Sequence, residues 1–216
     1  MSLILSLDTS TQNCSVALHE NGQLITQELV SEEGSHSKAL TLLIEKVMKT
    51  AGCSLADLSA VAVSNGPGSY TGLRIGLMSA RTLAMMTGAR LLGIPTFEIL
   101  AQHCLEDGHT KIEIIADAQQ DKIYAQRFEN NNSHLTSASE LKIVSAAEWM
   151  ANRDISFAIA GPGVTKVLPL ISANQGMVVE QSGNINKESF LALALKKLFS
   201  HHSDDPLSLQ PLYLRR

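Results

Sequence analysis

The chain predicts an α/β fold made of two copies of one βββαβα unit, and three observations carry that reading. Two apolar strand patterns, Leu3 to Leu7 and Ile112 to Ala116, each run into an aspartate, Asp8 and Asp117, and these lie 109 residues apart in a chain of 216. A polar turn and further strand patterns follow each aspartate. Each half then places a Gly-Pro-Gly between a strand and a helix, Gly66-Pro67-Gly68 and Gly161-Pro162-Gly163. One of these coincidences could arise by chance; together they indicate an internal duplication.

The elements follow in order. After Asp8 come the strand Cys14 to Glu20, an Asn21-Gly22 turn of the type I′ kind, and the strand Gln23 to Val30. A helix spans about Ser35 to Thr50, an apolar strand Leu58 to Val63, and after the Gly-Pro-Gly a long apolar helix Leu73 to Met86. The second half repeats the pattern. Lys122 to Phe128 reads as a strand, Asn130 to Asn132 as a turn, and a third strand runs toward Ile143. A helix at Ala146 to Ala151, the strand Ile155 to Ala160 and another helix start complete the copy.

Composition limits the function classes. With 44% hydrophobic and 18% charged residues the chain can bury a sizeable core. Three separated cysteines, Cys14, Cys53 and Cys104, with no CxxC pair, argue for a reducing compartment and against a disulfide frame or zinc site. The apolar N-terminal run stops at Asp8 and has no basic flank, so it reads as a strand and not a signal peptide; no stretch approaches a membrane span. A net charge of -4 without a Lys/Arg run weighs against autonomous tight binding to nucleic acid. The expectation is a cytoplasmic protein with no membrane contact.

Residues 66 to 76, Gly-Pro-Gly-Ser-Tyr-Thr-Gly-Leu-Arg-Ile-Gly, fit neither familiar phosphate loop. A dinucleotide loop needs its third glycine one residue earlier than Gly72, and a P-loop needs Lys-Ser/Thr where Leu73 and Arg74 stand. What remains is a strand-turn-helix junction. Gly66 and Gly68 supply backbone freedom, Pro67 fixes the turn, Gly72 and Gly76 complete it, and the helix start is still suited to an anion.

Two βββαβα units facing each other make the two-lobed architecture of the actin, sugar-kinase and Hsp70 class, where ATP lies in a cleft and an aspartate of each lobe faces its phosphates. That step is fold-level analogy. It makes Asp8, Thr9, Ser10, Asp117, Gly161 and Gly163 the candidate nucleotide turn. Catalytic members of the class need a glycine in the first turn for close backbone approach to phosphate; Thr9 and Ser10 would crowd it. Asp8 is open to two readings, an orienter of a magnesium-bound water or a strand-end turn former.

The resemblance becomes specific in Ile4-Leu5-Ser6-Leu7-Asp8-Thr9-Ser10-Thr11, Cys14 to Leu18, His36-Ser37, the eleven-residue glycine-rich run, Asp117-Ala118 and the closing Pro211 to Arg215. The chain resembles the TsaB (YeaZ) family. That resemblance implies a degenerate relative of TsaD, the protein that transfers a threonylcarbamoyl group to adenosine 37 of tRNAs reading ANN codons. It also implies a TsaD heterodimer, TsaE reached through the complex, a homodimer when alone, only indirect contact with tRNA, and no cofactor bound by this chain alone, ATP and Mg being used by the complex.

Chemical parts are sparse. TsaD relatives hold metal with two histidines four apart, whereas His36 has Leu40 at that spacing. His19, His103, His109, His134, His201 and His202 form no ligand set, and there is no HExxH, so no metal site is expected. Ser10, Ser69 and Cys14 lack a histidine at a recognisable motif spacing. A small-molecule kinase or ATPase using Asp8 and Asp117, and a metallopeptidase, are the competing readings.

The two first-lobe helices offer a surface instead. Leu40, Leu43, Ile44 and Val47 form one stripe with Ala39, Leu42 and Met48 beyond it; Leu77 lies beside Arg74, Met78, Arg81 and Met85 on the second helix. Methionine adapts to a partner and arginine adds directed charge. The resemblance places Leu40, Leu43, Ile44, Val47, Arg74, Leu77, Met78, Arg81 and Met85, with His36, at the partner interface. In the second lobe Gln119 and Gln120 replace the arginine of many relatives, and Trp149 and Phe157 read as core aromatics. The division is an N-terminal lobe 1–101, a C-terminal lobe 102–205 and a tail 206–216 with a path back to the first lobe.

Overall fold

The structure, a computed structural model, describes residues 2–31, 36–131, 134–171, 177–179 and 185–212. His36 is described as backbone only, and Tyr213, Leu214 and Arg215 lie outside the described residues. The chain forms two compact units, residues 1–96 with 185–213 and residues 97–184 with 214–216.

Unit 1 holds a five-stranded sheet in the order β3-β2-β1-β4-β5, with β1 Leu3–Asp8, β2 Cys14–Glu20, β3 Gln23–Val30, β4 Ala60–Ser64 and β5 Arg90–Ile94. Strands β1 to β3 form an antiparallel meander, and β4 and β5 run parallel to β1. Parallel pairing needs crossovers. These are α1 His36–Ala51, between β3 and β4, and α2 Tyr70–Thr87, between β4 and β5. Central β1 and β4 are buried along their whole length, as a sheet covered on both faces requires. Asn21 and Gly22 have φ of 50° and 85°, the two left-handed positions that a type I′ turn needs.

Leu5, Leu7, Val16, Leu18, Val61 and Val63 face α1 and α2 and form one core with Leu40, Leu43, Val47, Leu77 and Ala80. The opposite face packs against α6 Lys187–Phe199, which lies on β5 and β1. The segment after α6 then runs along β5. Asp204 bridges Leu91, and its carboxylate accepts from Gly93 N–H and Lys197 Nζ, both at 2.7 Å. Further on, Leu212 N–H donates to Asn65 O at 2.7 Å.

Unit 2 repeats the meander with fewer strands. Its path is β10-β6-β7-β8, with β6 Lys111–Asp117, β7 Lys122–Asn131, β8 His134–Ser137 and β10 Ala158–Ala160; β9 Lys142–Ser145 also pairs β7. The third strand of the repeat is therefore split in two. The hairpin expected at Asn130 to Asn132 closes on the Asn131 and His134 pair, with Asn132 outside the described residues. Where unit 1 has β5, the described part of unit 2 has a single parallel bridge between Ile159 and Val178. The helices are shorter too: α3 Thr96–Glu106 leads in, α4 Ala146–Ala151 has six residues against sixteen in α1, and α5 Val164–Val167 has four.

The division read from the sequence differs from this one. The break falls at Thr96 and not after residue 101, because Phe97, Ile99 and Leu100 of α3 are counted with the second unit. Residues 185–205, assigned from the sequence to the C-terminal lobe, belong to unit 1 because α6 packs on the β1 and β5 side of that sheet.

Candidate functional site

The first aspartate turn begins where β1 ends. Asp8 is 1% exposed, and its Oδ1 accepts from Ser10 N–H at 3.0 Å, from Ser10 Oγ at 2.6 Å and from Ser64 Oγ. A carboxylate that has lost water needs such donors. Thr9 is fully buried, and its hydroxyl donates to Gly72 O at 2.7 Å. Ser10 O accepts from Ser69 N–H at 2.7 Å, which ties the turn to the start of α2.

The glycine-rich run explains the closeness. A Cβ at Gly68 would stand 2.3 Å from Ser10 O, one at Gly72 1.9 Å from Thr9 O, and one at Gly76 2.3 Å from Thr9 Oγ1. Gly72 and Gly76 on α2, with Gly68 just before its N-cap, thus make a slot that the protein fills with its own Thr9 and Ser10. Only Gly66, at φ 112°, needs a left-handed backbone; it precedes the cis Gly66-Pro67 bond and exchanges hydrogen bonds with Thr96. Gly68 was expected to supply conformational freedom as well, but it is required by contact. The helix start is closed likewise: Ser69 is its N-cap, accepting from Gly72 N–H at 3.2 Å.

The second turn is built differently. Asp117 has a 60% exposed side chain, ion-paired to Lys166 Nζ at 2.6 Å and accepting from Gln119 N–H at 2.7 Å. Partial burial pushes its carboxyl upward, but Lys166 and the Gln119 N–H outweigh that and hold it below the usual range. Gln119, Gln120 and Asp121 all take left-handed φ, 63°, 47° and 54°. Gly161, at φ 108°, and Gly163 press on Ile115 and Ala116, residues that precede Asp117; Gly68 presses on Ser10, which follows Asp8. The two aspartates share a place at a strand end but not a place relative to the Gly-Pro-Gly.

Other chemical groups are muted. Burial, with the Asp8 charge beside it, pushes the Cys14 thiol up to about 11, so it carries little thiolate at neutral pH. Burial pushes the Cys104 thiol up to about 12. Among the described residues no three His, Cys, Asp or Glu side chains gather as a metal cluster, and no helix is long and apolar enough to cross a membrane.

The helix surface is narrower than the sequence stripe. Leu40, Leu43, Val47 and Leu77, assigned to the partner interface, are at most 6% exposed and belong to the core beneath the helices. Ile44 is half-buried against the same core, and the His36 side chain lies outside the described residues. Exposed on the two helices are Met78, 58%, Met85, 60%, Met86, 78%, and Leu42, 63%. Arg74 is exposed and stacks on the Tyr70 ring at 4.1 Å, and Arg81 donates to Leu207 O at 3.2 Å, bringing the 72% exposed Leu207 beside the stripe. Met48, placed off the stripe by the sequence reading, is buried.

Sequence reasoning missed Ser64 as a partner of Asp8, for a serine at a strand end carries no pattern of its own. The slot had a signal that could have been read. Glycines at 72 and 76 share one helix face, with Gly68 just before the helix, and such spacing means close approach.

Comparison with known proteins places the chain. The family described as TsaD, tRNA N6-adenosine threonylcarbamoyltransferase, matches residues 28–198. The tRNA threonylcarbamoyladenosine biosynthesis protein TsaB of Escherichia coli K12 is 31% identical over 152 residues, 69% of this chain and 65% of that relative. The matched stretch thus spans slightly under two thirds of the relative's length. A crystal structure from Pseudomonas aeruginosa, described as an uncharacterized protein with similarity to peptidase YEAZ, superimposes with a TM-score of 0.87 at 25% identity over the whole of both chains. YeaZ from Pseudomonas aeruginosa, at 24% identity over 99% of this chain and all of that one, gives 0.85 and shows the same fold. With a strand-ending aspartate in each unit, a glycine slot at the start of α2 and these matches, the chain belongs to the family described as TsaD, and it is similar to TsaB and YeaZ proteins.

Proposed function

We propose that this protein is the non-catalytic partner of TsaD in the transfer of a threonylcarbamoyl group to adenosine 37 of tRNA. The observation that carries the reading is the sealed first turn. Thr9 and Ser10 occupy the slot at the start of α2, and the Asp8 carboxylate is taken up by hydroxyls and a backbone N–H. A nucleotide phosphate approaching there would have to displace the backbone of both residues and the Thr9 hydroxyl. ATP and Mg are accordingly used by the complex and not by this chain alone, and TsaE is reached through that complex.

What the chain offers TsaD is the α1 and α2 surface carrying Leu42, Arg74, Met78 and Met85. Thioethers repack against a second surface at little cost, and an arginine already stacked on Tyr70 has less freedom to lose on binding. A stable interface here buries about 1,600 Å² in total. The same face serves a homodimer when the protein is alone, so the two assemblies exclude each other. Contact with tRNA is indirect, and the compartment is the cytoplasm.

The test is reconstituted threonylcarbamoylation with TsaC, TsaD, TsaE, tRNA and ATP, run with the protein, without it, and with M78E/M85E. Product is expected only with the unaltered protein, and the double variant should lose both product and co-elution with TsaD. Equal product in the absence of the protein overturns the reading and brings forward an ATPase acting through Asp8.

A further inference from the structure

Residues 203–212 leave α6 and run back over unit 1 as a strap tied down at three places. At Asp204 the backbone N–H donates to Leu91 O at 2.8 Å, and the carboxylate accepts from Gly93 N–H and Lys197 Nζ. At Leu209 the side chain packs on the unit 1 core and lies 3.0 Å from where a Cβ on Gly93 would stand. At Leu212 the N–H donates to Asn65 O. Between the first two ties the chain makes a tight turn. Asp205 O accepts from Ser208 N–H at 3.1 Å and Leu209 N–H at 2.9 Å, and Asp205 Oδ1 accepts from Leu207 N–H at 2.9 Å.

This turn stands against α2. Arg81 Nη2 donates to Leu207 O at 3.2 Å, so its guanidinium is engaged with its own chain. The Leu207 N–H and the Ser208 hydroxyl, and after them the Arg81 charge, hold the Asp205 carboxyl below its usual range. Met78 and Met85 lie three residues before and four after Arg81, one helical turn to either side. Both are more than half exposed, and Leu207 is 72% exposed. A single exposed leucine is ordinary, but three exposed apolar residues around one arginine form a patch. A turn already pinned by hydrogen bonds also has little freedom left to lose on binding.

The patch continues the α1 and α2 surface assigned above to TsaD, and that continuity makes TsaD its occupant. We propose that the strap turn extends the surface that receives TsaD, with Leu207 as the side chain that meets the partner and Arg81 as the residue that positions it. The proposal rests on the reading of this protein as the partner of TsaD, and it moves Arg81 from partner contact to support of the strap.

The full chain is titrated with its cognate TsaD as the unaltered protein, L207A, R81A, L207A/R81A and M78E/M85E, with homodimer affinity and Tm measured for each. L207A should raise the Kd for TsaD about tenfold. Its Tm should stay unchanged, because the side chain it removes is largely in water. R81A should weaken binding by a similar factor, and the double variant should bind no more weakly than L207A alone, the non-additivity expected of a residue that acts through another. Additive losses overturn the role of Arg81 as a positioning residue. L207A that binds TsaD as the unaltered chain does, while M78E/M85E does not, overturns the proposal and leaves the partner reading standing. Affinity unchanged in both overturns the proposal together with the helix surface it extends. A loss confined to the homodimer makes a second copy the occupant and overturns the assignment to TsaD.

Discussion

Asp8 and Asp117 end the first strands of two units built on one plan, yet one is buried among hydroxyls and the other stands in solvent beside a lysine. The difference lies in what the following Gly-Pro-Gly presses on. In unit 1 it presses on Ser10, past the aspartate, so the turn is drawn under α2 and the carboxylate loses water. In unit 2 it presses on Ile115 and Ala116, short of the aspartate, and the turn stays outside. A duplicated motif therefore does not carry a duplicated site. Relative register between strand end and helix start decides whether a carboxylate becomes a ligand-facing group, a buried structural acceptor or a surface ion.

The largest expected effect comes from the slot that makes unit 1 different. Gly72→Ala would set a Cβ 1.9 Å from Thr9 O, and backbone cannot yield as a flexible side chain tip does. A loss of roughly 3 kcal/mol or more is expected in urea unfolding, at the upper end for overpacking. Gly163→Ala, at 2.7 Å from Ala116 Cα, should cost less. If Gly72→Ala folds with unaltered stability, Thr9 and Ser10 do not fill the slot tightly, and the contrast between the two turns fails.

Acid should also separate the units. His19 in β2 is 1% exposed on the face toward α6, and neither ring nitrogen has a hydrogen-bond partner among the described residues. Burial is the main cause that lowers its pKa from 6.5 to about 4; Glu188 works against this shift and Lys187 with it. A depressed folded value means that the neutral ring is the native one. Its stabilisation is whole above pH 6.5 and drains as pH falls toward 4, by up to about 3 kcal/mol. Chemical denaturation from pH 7 to 4 should show that slope, and His19→Leu should remove it. A slope that survives the substitution assigns the acid sensitivity to other groups.

Much of this contrast was legible before any coordinates. Strand ends at Asp8 and Asp117, the Asn21-Gly22 hairpin and the helix at Ala146 to Ala151 follow from period and turn chemistry, which are local. The helix faces were legible only in part. Apolar residues at Leu40, Leu43, Val47 and Leu77 cannot announce whether they meet their own sheet or a partner, because both surfaces ask for the same side chains. The sealed turn was half legible: Thr9 and Ser10 were seen as crowding, but not that they are seated in glycines sixty residues on. Least legible was a cavity of unit 2 lined by Glu113, Arg127 and Lys142. It exists because α4 is short while β6, β7 and β9 still present those residues, a mismatch between elements that no single segment displays.

The comparison can be tested at the aspartates themselves. Asp8→Asn keeps the shape and an acceptor at Oδ1 for Ser10 N–H, Ser10 Oγ and Ser64 Oγ, but removes the negative charge that strengthens those three bonds. Loss of charge-assisted hydrogen bonds in a buried place should cost about 2 kcal/mol. Asp117→Asn removes an ion pair whose carboxylate is 60% exposed, where water already screens the charge, so less than about 1 kcal/mol is expected. The small Asp117 contribution is present above about pH 4, its unfolded value, and fades as pH falls below it, since Lys166 depresses the folded carboxyl. Unfolding of both variants at pH 7 and at pH 3 decides the matter. Equal losses would mean that burial does not distinguish the two carboxylates. A larger loss at Asp117 would reverse their order and make the second unit, not the first, the one whose turn is held by its acid.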